Sequence, residues 1–137
     1  MEITLINLQK KLPLPRSRIK KLIRKIINAE GLQGAGQISI CFSDDALIKK
    51  INLKFLKTNS PTDVLAFNFD NSKGKAILAD IMISTESAIK HAAIFKTKPE
   101  YELLLYVAHG VLHILGYNDQ TKVQSQLMRQ KEKKYVN

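Results

Sequence analysis

The segment at residues 100–115 constrains the fold more than any other part of the chain. Its pattern predicts a helix with apolar side chains around most of the circumference: Leu103, Leu104, Leu105, Val107, Ala108, Val111, Leu112, Ile114 and Leu115. A helix that is apolar nearly all round lies inside a protein and is covered by other elements. We therefore expect this helix at the centre of the fold.

Helical and extended patterns alternate along the rest of the chain. Apolar residues at i, i+3, i+4, i+7 and i+8 from residue 19 predict a helix that starts near Ser17 and ends by Gly31. Further helices are predicted at about residues 44–55, 85–95 and 121–135, strands at residues 2–7, 37–42, 64–69 and 76–84, and loops at residues 57–61 and 70–74. This order predicts an α+β fold: one domain spanning residues 1–137, with a small mixed sheet of about four strands packed with helices.

The composition restricts both the compartment and the partners. The chain has 137 residues, of which 45% are hydrophobic, and its formal net charge is +10. Such a charge attracts polyanions, so nucleic acid is the first partner to consider. The single cysteine, Cys41, cannot form an internal disulfide, and the sequence has neither a leader pattern nor an apolar run long enough to cross a membrane. We therefore expect a cytoplasmic protein with no membrane partner.

Four polar residues interrupt the apolar surface of the predicted central helix. At about 100° per residue they all fall within a sector of roughly 60°: Glu102, Tyr106, His109 and His113. The two histidines stand one helical turn apart, the spacing at which two imidazoles can reach one metal ion. This spacing alone leaves open the alternative of two hydrogen-bonded core histidines.

The turn after this helix supplies a third candidate ligand. Gly116 permits the chain to leave the helix, and residues 117–119 turn back toward the face that carries the histidines. The pattern H-x3-H-x5-D, from His109 to Asp119, is typical of extended zinc helices that end in a glycine turn. Three protein ligands leave an open fourth position, as in catalytic zinc sites. Because Gly110 stands where metalloproteases carry their general-base glutamate, peptide hydrolysis is disfavoured.

The same segment resembles a known family. HGVLHILGYND, at residues 109–119, is similar to the motif H-G-x-L-H-L-x-G-Y-D-H of the YbeY family of ribosomal-RNA maturation endoribonucleases. Upstream, residues 51–55 resemble the family's L-N-x-x-Y, residues 61–67 its P-T-D-V-L-S-F, and residues 79–81 its G-D-I. In order and spacing the resemblance covers nearly the whole chain.

The resemblance implies a metal-dependent endoribonuclease that cleaves single-stranded RNA in ribosomal-RNA processing and ribosome quality control. It implies zinc as the cofactor, with manganese or magnesium less favoured, and ribosomal subunits as further partners. An ion on His109, His113 and Asp119 would lower the pKa of a bound water and polarise a phosphate oxygen. No residue stands out as the general base, although Glu102, on the same side of the helix, is a candidate.

Three of the departures from the family pattern bear on the chemistry of the site. Asp119 replaces the third histidine, Leu56 replaces an arginine and Ala66 replaces a serine. A carboxylate is a normal zinc ligand, but leucine cannot hold a phosphate. Lys54 and Lys57 flank that position and could bind RNA through charge alone. The alternatives left open are an RNA-binding ribosome-assembly factor that keeps the metal, and metal-dependent hydrolysis of another substrate.

Three further residues are candidates for supporting the ligands or lining the cleft. Asp80 interrupts an apolar strand, where a charge usually has a partner. Asp63 follows Pro-Thr, where it either closes the turn before a strand or faces the cleft. Tyr117 belongs to the glycine turn that leads to Asp119.

Overall fold

The elements of the fold follow the predicted α+β order. The computed structural model describes residues 1–31, 36–56, 63–69 and 77–137, with the backbone alone at residues 55 and 56. Its elements are β1 (Glu2–Asn7), α1 (Arg16–Ala29), β2 (Gly36–Ser43), α2 (Asp45–Leu56), β3 (Val64–Asn68), β4 (Ile77–Ser84), α3 (Thr85–Phe95), α4 (Pro99–Ile114) and α5 (Lys122–Val136). The predicted element ends are shifted by about one residue. The predicted loops at residues 57–61 and 70–74 lie outside the described residues.

In the described part of the chain, the sheet has four strands in the order β1-β2-β4-β3. β1, β2 and β4 are parallel, and β3 runs antiparallel to β4 at one edge, which confirms the predicted mixed sheet. α1 connects the parallel pair β1 and β2, because parallel neighbours need a crossover. Side chains alternate between the two faces of each strand. The buried apolar side chains of β2 and β4 therefore lie on one face: Ile38, Ile40, Phe42, Ala79, Ile81 and Ile83.

The helix α4 lies at the centre of the molecule, as its apolar circumference predicted. It contacts β3, β4, α1, α3 and α5, and Leu103, Val107 and Val111 are fully buried. Gly110 allows α4 to approach the sheet closely, since a Cβ at this position would lie 2.8 Å from Cγ2 of the buried Ile81. The helix that carries both histidines is thus packed against the sheet and three other helices.

Within residues 1–31, 36–56, 63–69 and 77–137, no helix is both long enough and apolar enough to span a membrane.

Candidate metal centre

Three side chains from α4 and the turn after it converge on one point. Nε2 of His109 and Nε2 of His113 are 3.0 Å apart, and Oδ2 of Asp119 lies 3.4 Å from each. A tetrahedral zinc site with bonds of about 2.0–2.2 Å separates its ligand atoms by about 3.3–3.6 Å. Among the described residues, this is the one cluster of three potential ligands that could hold a metal ion. The two distances to Asp119 fall in this range, and the 3.0 Å distance between the two nitrogens is slightly shorter.

The second nitrogen of each imidazole is held by an oxygen. Nδ1 of His109 donates to Oε2 of Glu132 on α5 at 2.7 Å, and Nδ1 of His113 donates to the backbone carbonyl of Tyr117 at 3.0 Å. A carboxylate or carbonyl oxygen can only accept, so Nδ1 carries the proton and a neutral ring presents a lone pair at Nε2. Two lone pairs and the Asp119 carboxylate therefore face each other. A cation between them, either a metal ion or an added proton, relieves this repulsion.

The turn that carries Asp119 back to the histidines depends on a glycine. Gly116 has a φ of 104°, in the left-handed region that favours glycine. Its N–H donates to the carbonyl of His113 and the N–H of Tyr117 donates to the carbonyl of Leu112, both at 3.0 Å. This pair of bonds is the Schellman motif that ends many helices. It brings the Tyr117 carbonyl to His113.

A network around Glu30, at the end of α1, fixes this turn from outside. Its carboxylate accepts hydrogen bonds from the hydroxyls of Tyr117 and Tyr135 and from Nζ of Lys131, the last at 3.1 Å. Burial alone would raise the pKa of Glu30, but these donors together lower it below its ordinary value. Burial, and then the bond to Glu30, raise the pKa of Tyr135 to about 12, so its hydroxyl keeps the proton that it donates. Tyr117 thus contacts both a candidate ligand and this network.

A groove of about 810 Å³ opens beside the three candidate ligands and is lined in part by His109 and Asp119. From α3 and α4, aromatic side chains border it: His91, Phe95, Tyr101 and Tyr106. From α5, charged side chains border it: Arg129, Glu132 and Lys133. The groove is aromatic where α3 and α4 form it and carries two basic residues where α5 forms it.

His91 is a groove residue that the sequence did not single out. Its Nδ1 hydrogen-bonds the hydroxyl of Tyr106 and lies 3.9 Å from Oδ2 of Asp63. Burial, and then the charge of Asp63, raise the pKa of Tyr106 well above its ordinary range, so the phenol stays protonated. Asp63 also lines the groove, one of the two positions that the sequence left open.

The remaining predicted residues divide between the groove and the outer surface. Glu102 borders the groove, is 5% exposed and accepts a hydrogen bond from Oγ1 of Thr97 at 2.8 Å. Lys54 is exposed on α2 and is not among the described residues that line the groove, and Lys57 lies outside the described residues. The side chain of Leu56 lies outside them as well.

The structure does not bring Asp80 to the cleft. Asp80 is exposed, between the buried residues Ala79 and Ile81, and is not among the described groove residues. Because side chains alternate along a strand, the buried neighbours of Asp80 face the core and its own carboxylate faces away. The interruption of the apolar run reflects this alternation, so the interpretation as a cleft residue was wrong.

Comparisons with known proteins identify the family of this chain. The model of the endoribonuclease YbeY family matches residues 4–137. The endoribonuclease YbeY of Christiangramia forsetii is 39% identical over 83% of this chain and 78% of its own length, and that of Chloroherpeton thalassium is 35% identical over 90% and 85%. The solution structure of TM1509 from Thermotoga maritima superposes with a TM-score of 0.64 at 26% identity, covering 98% of this chain and 86% of that one. The chain belongs to the endoribonuclease YbeY family.

Proposed function

We propose that this chain is a metal-dependent endoribonuclease that cleaves single-stranded RNA at the groove beside α4. The observation that carries the proposal is the convergence of Nε2 of His109, Nε2 of His113 and Oδ2 of Asp119, each 3.0–3.4 Å from the others. Membership of a family named for endoribonuclease activity supports the reaction and the RNA substrate. His109 and Asp119 line the groove, and this access for a substrate supports catalysis over a purely structural ion.

Different residues of the chain would have different roles in hydrolysis. A divalent ion held by the three candidate ligands would supply a more acidic water and a polarised phosphate oxygen. Glu132 and the Tyr117 carbonyl hold the two imidazoles so that each Nε2 is free to bind such an ion. Arg129 and Lys133, on the α5 side of the groove, are placed to bind RNA phosphates. Glu102, oriented by Thr97, is a candidate proton acceptor.

The finer assignments are part of the same proposal. Two imidazoles favour zinc, while the carboxylate of Asp119 makes manganese or magnesium more competitive than at a site of three histidines. We further propose ribosomal RNA as the substrate, contact with ribosomal subunits, and a cytoplasmic site of action. Residues 1–137 are proposed to form a single domain, because α4 contacts elements from both ends of the chain.

The test is cleavage of a labelled single-stranded RNA by native protein, by protein stripped of metal and by stripped protein with zinc restored. Cleavage should disappear with the metal and return with zinc. The His113→Ala variant, purified in parallel, controls for contaminating nuclease and should cleave at least about 100-fold more slowly. Cleavage that persists without metal would contradict the proposal. RNA binding without cleavage in zinc, manganese or magnesium would favour the assembly-factor alternative, which Leu56 keeps open.

A further inference from the structure

We propose that the aromatic side of the groove is a binding subsite for one unpaired nucleobase of the RNA. This inference rests on the proposed function and names the feature of the substrate that the groove recognises. The subsite consists of Phe95, His91 and Tyr106, and leads from the outer edge of the groove to the candidate metal centre.

Phe95 is presented to solvent at the end of α3. Its side chain borders the groove although the residue is 62% exposed. The helix ends there because the next residue, Lys96, has a φ of 57°, a left-handed conformation that non-glycine residues seldom adopt. The end of the helix thus places the exposed ring of Phe95 at the groove edge.

The rings continue inward from Phe95. The centroids of Phe95 and His91 are 5.7 Å apart with an interplanar angle of 41°, and those of His91 and Tyr106 are 5.9 Å apart at 83°. The hydrogen bond to Tyr106 fixes the ring of His91. Tyr106 lies about one helical turn before His109 on α4. An aromatic surface therefore runs from the groove edge to the first candidate ligand.

A nucleobase is the occupant that fits this surface and its surroundings. Bases stack on exposed aromatic rings in proteins that bind single strands, while basic residues alongside take the phosphates. Here Arg129 and Lys133 supply that charge from α5, in the same groove. A paired base is already stacked within its duplex and cannot lie on Phe95. The subsite would therefore select single-stranded RNA by access to an unpaired base.

The experiment measures binding separately from cleavage. A labelled single-stranded DNA hexanucleotide keeps the bases and phosphates without being a ribonuclease substrate, and one base at a time is replaced by an abasic site. In zinc-loaded native protein, removing the base at one position should weaken binding about tenfold, the scale of one base stacked on an aromatic ring. In Phe95→Ala this penalty should fall below about twofold, while Phe95→Tyr should keep it.

Ile94→Ala is the matched control, because Ile94 is the neighbouring exposed apolar residue, at 69% exposure, and does not line the groove. It should keep the full abasic penalty. An equal abasic penalty in native protein and Phe95→Ala, with circular dichroism showing both folded, would overturn the inference, as would an equal loss of the penalty in Ile94→Ala. A chain that binds bases through Phe95 but cleaves no RNA would support this inference and reject the proposed function.

Discussion

Glu132 orients the imidazole of His109, and the carbonyl of Tyr117 orients that of His113 in the same way. Its carboxylate accepts a hydrogen bond from Nδ1 of His109 at 2.7 Å, and its side chain is 15% exposed. Partners of this kind fix the ring orientation and raise the basicity of the nitrogen that binds metal. At the scale of residues, the site is therefore held by α5 as well as by α4 and its turn.

Removing this partner should weaken metal binding without removing a ligand. We expect Glu132→Ala to lower zinc affinity about 10- to 100-fold, measured by competition with a chromophoric chelator. Glu132→Gln should lose less, because its amide oxygen can accept the same hydrogen bond. Gln130→Ala, at an exposed position of α5, is the control and should match native protein. Native affinity in Glu132→Ala would show that His109 is oriented without it.

The candidate ligands could be found from sequence because His109, His113 and Asp119 lie on one helix and the turn that ends it. Their spacing along the helix determines their relative positions, and Gly116 predicts the turn that carries Asp119. Glu132 lies 23 residues after His109, on a different helix, so no local spacing connects the two. Only the packing of α5 against α4 brings them together. His91 lies on α3, so no local spacing connects it to the candidate ligands either.

At the scale of elements, the network around Glu30 joins three separate parts of the chain. Glu30 follows α1, Tyr117 lies in the turn after α4, and Tyr135 and Lys131 belong to α5. The side chain of Glu30 is 13% exposed, so its donors compensate the burial of a charge. The position of the turn that carries Asp119 therefore depends on how α1 and α5 pack.

This network should make stability depend on pH. The pKa of Glu30 is lower in the folded chain than its ordinary value of 4.5, so its stabilising contribution is complete above that value and is lost as pH falls through the folded pKa. Glu30→Gln should therefore lower the free energy of unfolding by about 1–3 kcal/mol at pH 7 and by less at pH 3. Urea unfolding at both pH values measures this. An equal loss at both pH values would contradict the assignment.

The elements themselves were predictable because their patterns are local. The extended patterns that predict β2 and β4 and the apolar circumference that predicts a buried α4 are properties of single segments, and these predictions were confirmed. The strand order β1-β2-β4-β3 is not a local property and had no counterpart in the prediction. The error at Asp80 arose for a related reason, because its place on the exposed face of β4 depends on which face the helices cover.

At the scale of the whole molecule, the net charge and the groove contribute to RNA binding in different ways. The net charge of +10 draws RNA to the protein, while the groove places two basic residues, Arg129 and Lys133, beside the candidate metal centre. The prediction from sequence placed RNA contacts at Lys54 and Lys57 on the strength of their position in the chain. Salt dependence separates these possibilities, because each phosphate contact releases counterions.

RNA affinity should fall steeply as salt concentration rises. Each phosphate contact with a single strand adds about 0.7 to the slope of log affinity against log salt, so Arg129→Ala combined with Lys133→Ala should lower the slope by about 1.4. Lys54→Ala tests the contact predicted from sequence and should leave the slope unchanged if the groove alone binds phosphates. Fluorescence anisotropy across a salt series measures all three proteins. A flat dependence in native protein would show that its basic surface does not bind RNA.

The central claim is that His109, His113 and Asp119 together hold one divalent ion. Elemental analysis of protein purified without added metal tests it most directly. We expect about one equivalent of metal per chain in native protein, a loss of tightly bound metal in His113→Ala, and weakened retention in Asp119→Ala, because removing one of three protein ligands destabilises the site. A full equivalent of tightly bound metal in His113→Ala would contradict the account.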